Sequence, residues 1–482
     1  MATLDSTRPR RKRSGHRTGL MERLTSSRTK LAVLCAFLLI IFITGGSSRA
    51  DVPALLLLRP VSLLVLAYGL LILTRERIRN YWPLVAIAVA SVTLTALHLI
   101  PLPPALWHAI PGREGLVELD RMLGLGEMWR PLTLDPQATR NALMALTTPC
   151  AILVLAIQLD MREREASLTF VLALGVLTAI WALLQLVGNP RGPLYLYDLT
   201  SYGSAVGLFA NRNHQAVFLA SLVPLMYCWV QLAPGSWKDF SAGKGRRASA
   251  AAAGALLLIP LTLIAGSRAG VLTLILSICI TAAGIVLVSA AEGARRRQAR
   301  SGFKRVAPVA TGGLVLAALA FLTMSLGRDR AFDRLIGADP IASLRADLLP
   351  VTWEIALKHF PWGTGVGSFD DVYRMYEPDM LLMPEYVNHA HNDLLEIFMT
   401  GGMIGILIVI FGVTLFAIRS WSIARGGLAK IRADIWPAAA LAALAVLFIA
   451  SLVDYPLRTP AMASYAVLLA IWASNARSVT TS

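Results

Sequence analysis

The sequence predicts an all-α polytopic membrane protein. Of its 482 residues, 56% are hydrophobic and only 15% are charged, where a soluble domain carries about 25% charge. Apolar runs recur from Leu31 to Trp472, each near the roughly 20 residues a helix needs to cross a bilayer core. Between them, short basic loops alternate with longer loops of mixed character.

The runs divide into about 12 transmembrane helices, at 31–46, 53–73, 82–101, 141–158, 167–188, 214–232, 250–266, 269–290, 306–326, 393–418, 435–453 and 461–474. The first lacks a small-residue cleavage site and reads as a retained helix rather than a signal peptide. The second carries Arg59 and Pro60; proline is tolerated in a membrane helix when neighbours satisfy the freed carbonyl. Residues 1–30 form a basic tail expected to be disordered, 31–475 the membrane domain and 476–482 a C-terminal tail. Most Lys and Arg residues fall in the tail and in the short loops on its side of the membrane. The positive-inside rule then places both termini in the cytoplasm. The long loops 102–140, 189–213 and 327–392 lie outside, and long loops carry function more often than short ones. The last is expected to contain amphipathic helices.

This topology accounts for the net charge of +16, so no nucleic-acid partner is expected. The basic run from Arg8 to Arg13 reads as an orientation signal or a contact with anionic lipid. Cys35, Cys150, Cys228 and Cys279 form no CxxC pair, which argues against a zinc site or a disulfide framework.

Transporters usually need an ionisable group inside the membrane, and Arg59 is the only clear interior charge in these spans. Polar residues gather instead at the outer helix ends, as in an enzyme working at the membrane–water boundary. Three outer features carry chemistry. Ser267 to Gly270 form a short turn with Arg268 at the start of the next helix, where the helix dipole and a guanidinium fork favour phosphate. The alternative is an interfacial arginine snorkelling to lipid phosphates. Arg345 precedes the amphipathic segment Pro350 to Phe360, expected to lie on the bilayer surface with Pro350 in its first turn. Arg345 either reaches the same anion or pairs with Asp347 or Glu354. Finally, Asn388 to Asp393 bring His389 and His391 to the start of a span, with Asp393 and Glu396 as a capping box. Neutral imidazole is a natural general base for a hydroxyl; a metal would need a third ligand, and none is suitably spaced. The run from Gly363 to Gly367 follows no strand of a βαβ unit and reads as a flexible turn rather than a nucleotide loop.

In their order, these residues resemble the O-antigen ligase and polymerase superfamily. His391-Asn392, nine residues and then Gly402 to Gly405 is similar to a family signature. So are Arg268 to Leu272, Arg345 to Phe369, Phe209 to His214, Trp129 to Pro136 and Asp454 to Arg458. The resemblance extends over residues 80–475 and implies a GT-C-like membrane glycosyltransferase without metal or other cofactor. Its donor would be a saccharide on undecaprenyl pyrophosphate, and its acceptor a hydroxyl of a glycan or of lipid A-core. The reaction would occur at the periplasmic face of the bacterial inner membrane, in O-antigen or exopolysaccharide assembly. The resemblance also implies roles. Arg268 and Arg345 hold the pyrophosphate, His391 takes the acceptor proton, His389 assists, and Arg212, His214 and Asn392 bind donor or acceptor. A polymerase and a lipid A-core ligase share these residues; the Asn-Arg-Asn-His form at 211–214 leans toward a polymerase. A polysaccharide transporter or flippase, a reading of another class, fits the span count but not the scarcity of intramembrane acids.

On this reading, Arg268→Lys keeps the charge and loses the bidentate fork. Its glycan product should fall nearly as far as that of Arg268→Ala at equal protein level. Full activity in Arg268→Lys would show that charge alone suffices.

Overall fold

A computed structural model describes residues 19, 22–197, 202–235, 241–295, 340–382 and 387–474. Most of the basic tail, the expected span at 306–326, residues 327–339 of the expected outer loop and the tail 476–482 lie outside them. The described chain is a helical bundle: α1 (Ser27–Thr44), α2 (Leu55–Ile72), α3 (Trp82–Leu97), α4 (Pro136–Ala145), α5 (Thr147–Ala156), α6 (Met161–Val187), α7 (Arg212–Gln231), α8 (Gly243–Ile264), α9 (Arg268–Arg295), α10 (Pro340–Lys358), α11 (Asp393–Arg425), α12 (Ile435–Ser451) and α13 (Pro460–Ala473). Among the described residues, seven stretches are long and apolar enough to cross a membrane, with α4 and α5 forming one of them. Helices α3, α12 and α13 are shorter and apolar. The chain is a multi-pass membrane protein.

Local capping explains where the helices start. Ser26 caps α1, its Oγ accepting from Thr29 N at 3.2 Å, so the helix begins inside the stretch expected to be tail. Asp135 caps α4 through bonds from Gln137 N and Ala138 N at 2.9 and 3.0 Å, with Pro136 in the first turn. That pulls the helix start ahead of the expected residue 141. Between α3 and α4, a two-residue antiparallel pair joins Pro101 to Pro131 and Leu102 to Arg130. It is the only sheet among the described residues.

Helix α7 is the centre of the bundle. Every residue from Asn213 to Leu222 is buried, because α6, α8, α9 and α12 surround it. A helix enclosed on all sides must satisfy its polar side chains within the protein. Accordingly, Gln215 Oε1 accepts from Thr178 at 2.9 Å, and Ser221 pairs with the Tyr465 hydroxyl at 3.0 Å. Helix α9 comes close enough to α7 that a Cβ on Gly270 would stand 2.5 Å from that of Ala216.

Helix α10 differs from the expected amphipathic segment. Pro350 lies inside it rather than in its first turn, since the helix starts at Pro340. Its apolar residues divide. Leu348, Ile355 and Ala356 are buried in a small core with Phe369, Tyr373 and Met399, while Trp353 and Leu357, and Phe360 just past the helix, remain exposed. Helix α10 is thereby seated on α11.

Helix α11 is broken at Gly402, whose φ of 57° and ψ of −149° are not helical. The segment expected to be a flexible turn fills this break. Thr364 N donates to Met399 O at 3.0 Å, Gly365 N to Thr400 O at 2.9 Å, and Met403 N to Pro361 O at 2.8 Å. An unsatisfied carbonyl at membrane depth is costly, so irregular backbone survives only where protein groups complete it. The close approach also requires glycine: a Cβ on Gly402 would lie 2.2 Å from Pro361 O, and one on Gly363 2.6 Å from Gly402 N.

Gly402→Ala should therefore be strongly destabilising, with backbone strain of about 1–3 kcal/mol added to the clash. The control is Gly412→Ala in the same helix, where a Cβ meets only Ile87 at 3.8 Å and helix propensity favours alanine by up to about 1 kcal/mol. Thermal unfolding of the purified proteins should show a lower midpoint for the first variant only.

Candidate active site

The N-termini of α7, α9, α11 and α13 and the C-terminus of α12 meet at one end of the bundle. Gly45, closing α1, belongs to the same end, since its carbonyl accepts from Ala461 N at 3.0 Å. The connection from α12 to α13 carries Asp454, Tyr455 and Arg458 into the cluster. Helix N-termini present free N–H groups and the positive end of the dipole, so this end of the molecule favours anions.

Two histidines sit here, each facing a buried carboxylate. His389 Nδ1 lies 3.0 and 3.2 Å from the two Glu396 oxygens. His391 Nδ1 lies 3.4 Å from Asp454 Oδ1. Both imidazoles stand against one ring, with Tyr455 centroid distances of 4.5 and 4.8 Å, and His214 meets the same ring edge-on at 5.1 Å. The side chains of His389 and His391 keep 15% and 16% of their surface, whereas Glu396 and Asp454 are almost wholly enclosed. The two imidazole rings thus reach solvent while their carboxylate partners do not.

Each carboxylate is held by further groups. Asp454 accepts from Asn213 Nδ2 at 2.6 Å and from Tyr455 N at 3.0 Å. Glu396 accepts from Ala390 N at 3.0 Å and lies 3.4 Å from Arg458 Nε, which also donates to Asp393 Oδ1 at 3.2 Å. Burial opposes the charge on Arg458, but Glu396 and Asp393 outweigh it, and its pKa is raised. The backbone is constrained as well: His391 is the only non-glycine residue with positive φ, at 51°, among the described residues. Such a conformation is uncommon outside glycine and persists where the surroundings over-determine it.

The expected capping box is displaced by one residue. Asn392 caps α11, its Oδ1 accepting from Leu395 N at 3.0 Å, and its Nδ2 donates to Leu452 O at 2.9 Å. That leaves Asp393 and Glu396 free to bind Arg458 and His389. Arg268 opens α9 and is exposed; Ser267 Oγ caps the first turn of that helix, accepting from Gly270 N at 2.9 Å. Arg212 opens α7, and the contact of Gly270 with Ala216 sets the two arginine-bearing helix starts side by side. Arg345 lies in α10, and its side chain falls outside the described residues. Asp454, Tyr455 and Asn213 lie inside motifs noted in the sequence, but only their spatial convergence gives them a role. Glu396 and Arg458 are in the same position.

The fold and this cluster define a multi-pass membrane protein with paired histidine–carboxylate groups at a common helix end. Residues 252–410 match the family model described as O-antigen ligase, and the match supports placing the chain in the O-antigen ligase and polymerase superfamily. The matched segment contains Arg268, Arg345, His389, His391 and Asn392; Arg212, His214 and Asp454 lie beyond it. No match was found among curated proteins or among solved structures.

Asp454→Asn and Glu396→Gln separate chemistry from stability. If Asp454 orients a base, Asp454→Asn should keep the wild-type melting midpoint and lose at least about tenfold in product formation. Glu396→Gln breaks a buried ion pair and should destabilise by about 3–5 kcal/mol, read as a lower melting midpoint. Wild-type activity in Asp454→Asn would show that Asp454 does not orient the base.

Proposed function

We propose that the protein is a membrane glycosyltransferase that moves a saccharide from a lipid pyrophosphate to an acceptor hydroxyl at the periplasmic face. The single observation that carries this reading is the His391–Asp454 pair beside helix starts that bear Arg268 and Arg212. In the proposed step, the bond between the anomeric carbon and the phosphate oxygen breaks, and its electron pair leaves with the pyrophosphate. The acceptor oxygen forms the new bond to that carbon, and its proton passes to His391. Asp454 Oδ1, 3.4 Å from Nδ1, would stabilise the imidazolium that forms through its charge. Arg268, together with Arg345, would stabilise charge on the departing pyrophosphate. His389, fixed by Glu396, would position the acceptor; His214 and Arg212 would border it. Asn392, with both ends of its amide engaged, would act by holding the histidine turn.

The donor would be a saccharide on undecaprenyl pyrophosphate, and the reaction a polymerisation of repeat units. The second reading is transfer to lipid A-core, favoured by the description of the matched family as O-antigen ligase. The glycan profile of a deletion strain complemented with wild type or His391→Ala tests both. Single repeat units accumulating on the lipid carrier in the variant mean a polymerase. Long chains that remain on the carrier and are missing from lipid A-core mean a ligase. A normal profile with His391→Ala would overturn the assignment of the base.

A further inference from the structure

Arg59 lies in the second turn of α2 and takes no part in the histidine cluster. It lines an open groove of about 480 Å³ together with Ala50, Asp51, Val52, Pro53, Leu56 and Pro60. Its Nη2 donates to Asn141 Oδ1 at 3.3 Å, while its Nε is buried without a hydrogen-bond partner among the described residues. A guanidinium has five N–H donors and no acceptor, and a charge at membrane depth calls for a counter-ion. The carboxylate nearest in the groove lining, Asp51, is already committed: Arg49 binds it at 2.9 and 2.5 Å. From Leu56 in the groove, α2 continues outward with Leu64 and Leu71, all three at least 70% exposed. The groove therefore continues into an apolar helix face with no protein against it among the described residues.

We propose that this groove seats the phosphate of an anionic glycerophospholipid on Arg59, with the acyl chains along the leucine face of α2. A single guanidinium fork matches one phosphodiester. The inference is independent of the glycosyl-transfer reading.

Native mass spectrometry of the purified full-length protein provides the test, with dioleoylphosphatidylglycerol as probe and dioleoylphosphatidylcholine as control. Wild type should retain the anionic lipid preferentially, and Arg59→Gln should lose about tenfold or more of that retention. Arg59→Lys should fall between them. Equal retention by wild type and Arg59→Gln, or equal retention of the two lipids by wild type, overturns the proposal. So does complete displacement of the anionic lipid by millimolar inorganic phosphate, which would assign the groove to a free anion. If Arg59→Gln is not monodisperse, Leu56→Trp decides, because it crowds the groove and leaves Arg59 in place. Reduced retention there supports the site, and wild-type retention overturns it.

Discussion

Opening the helical ladder of α11 at Gly402 frees backbone groups in a segment that has no water to complete them, and much of the site depends on how they are satisfied. The N–H groups of Thr364 and Gly365 take the carbonyls of Met399 and Thr400, and Pro361 O takes Met403 N. These bonds tie the segment following α10 to the membrane helix that begins at the histidines. The same segment bonds outward, with Leu134 N donating to Thr364 O and Val366 N to His98 Nδ1. One backbone repair thus joins the start of α11, the end of α3 and the approach to α4.

A second constraint comes from buried charge. Asp393 and Glu396 are buried beside the half-buried Arg458, and neither carboxylate could be left there alone without a large desolvation cost. Their mutual pairing fixes the turn between α12 and α13 against the first turn of α11. That turn also carries Asp454 and Tyr455, so the groups that hold the fold and the groups that face the histidines share a few residues. His391 accepts an uncommon backbone conformation at this junction, held by Asn392 on one side and by the Glu396 bond to Ala390 N on the other.

Several features of the site were legible in the chain. His389 and His391 are marked by their place just before an apolar run, and Arg268 by a turn too short to be anything but a helix junction. Other features were not. The sequence offers Asp393 as a cap, but Asn392 takes that role because Arg458, distant in the chain, draws the Asp393 carboxylate away. The glycines from Gly363 to Gly367 look like a loop because their partners, the carbonyls of a broken helix, are visible only once α11 is placed. Pro350 suggests a helix start, yet the burial of Leu348 and Ile355 on either side holds the helix continuous through it.

Hydropathy and charge depend on composition along the chain, so the sequence by itself determined that this is a helical, multi-pass membrane protein. It also marked Arg268, His389 and His391 at helix starts, whereas Arg345, expected to precede a helix, lies within α10. The tertiary structure alone decided which of those ends meet. It brought Asn213 to Asp454, Asp454 to His391 and Glu396 to His389, and it set three histidines around one tyrosine ring. These pairings join residues far apart in the chain. They are enforced by the need to satisfy buried charge and broken backbone, which no local pattern records.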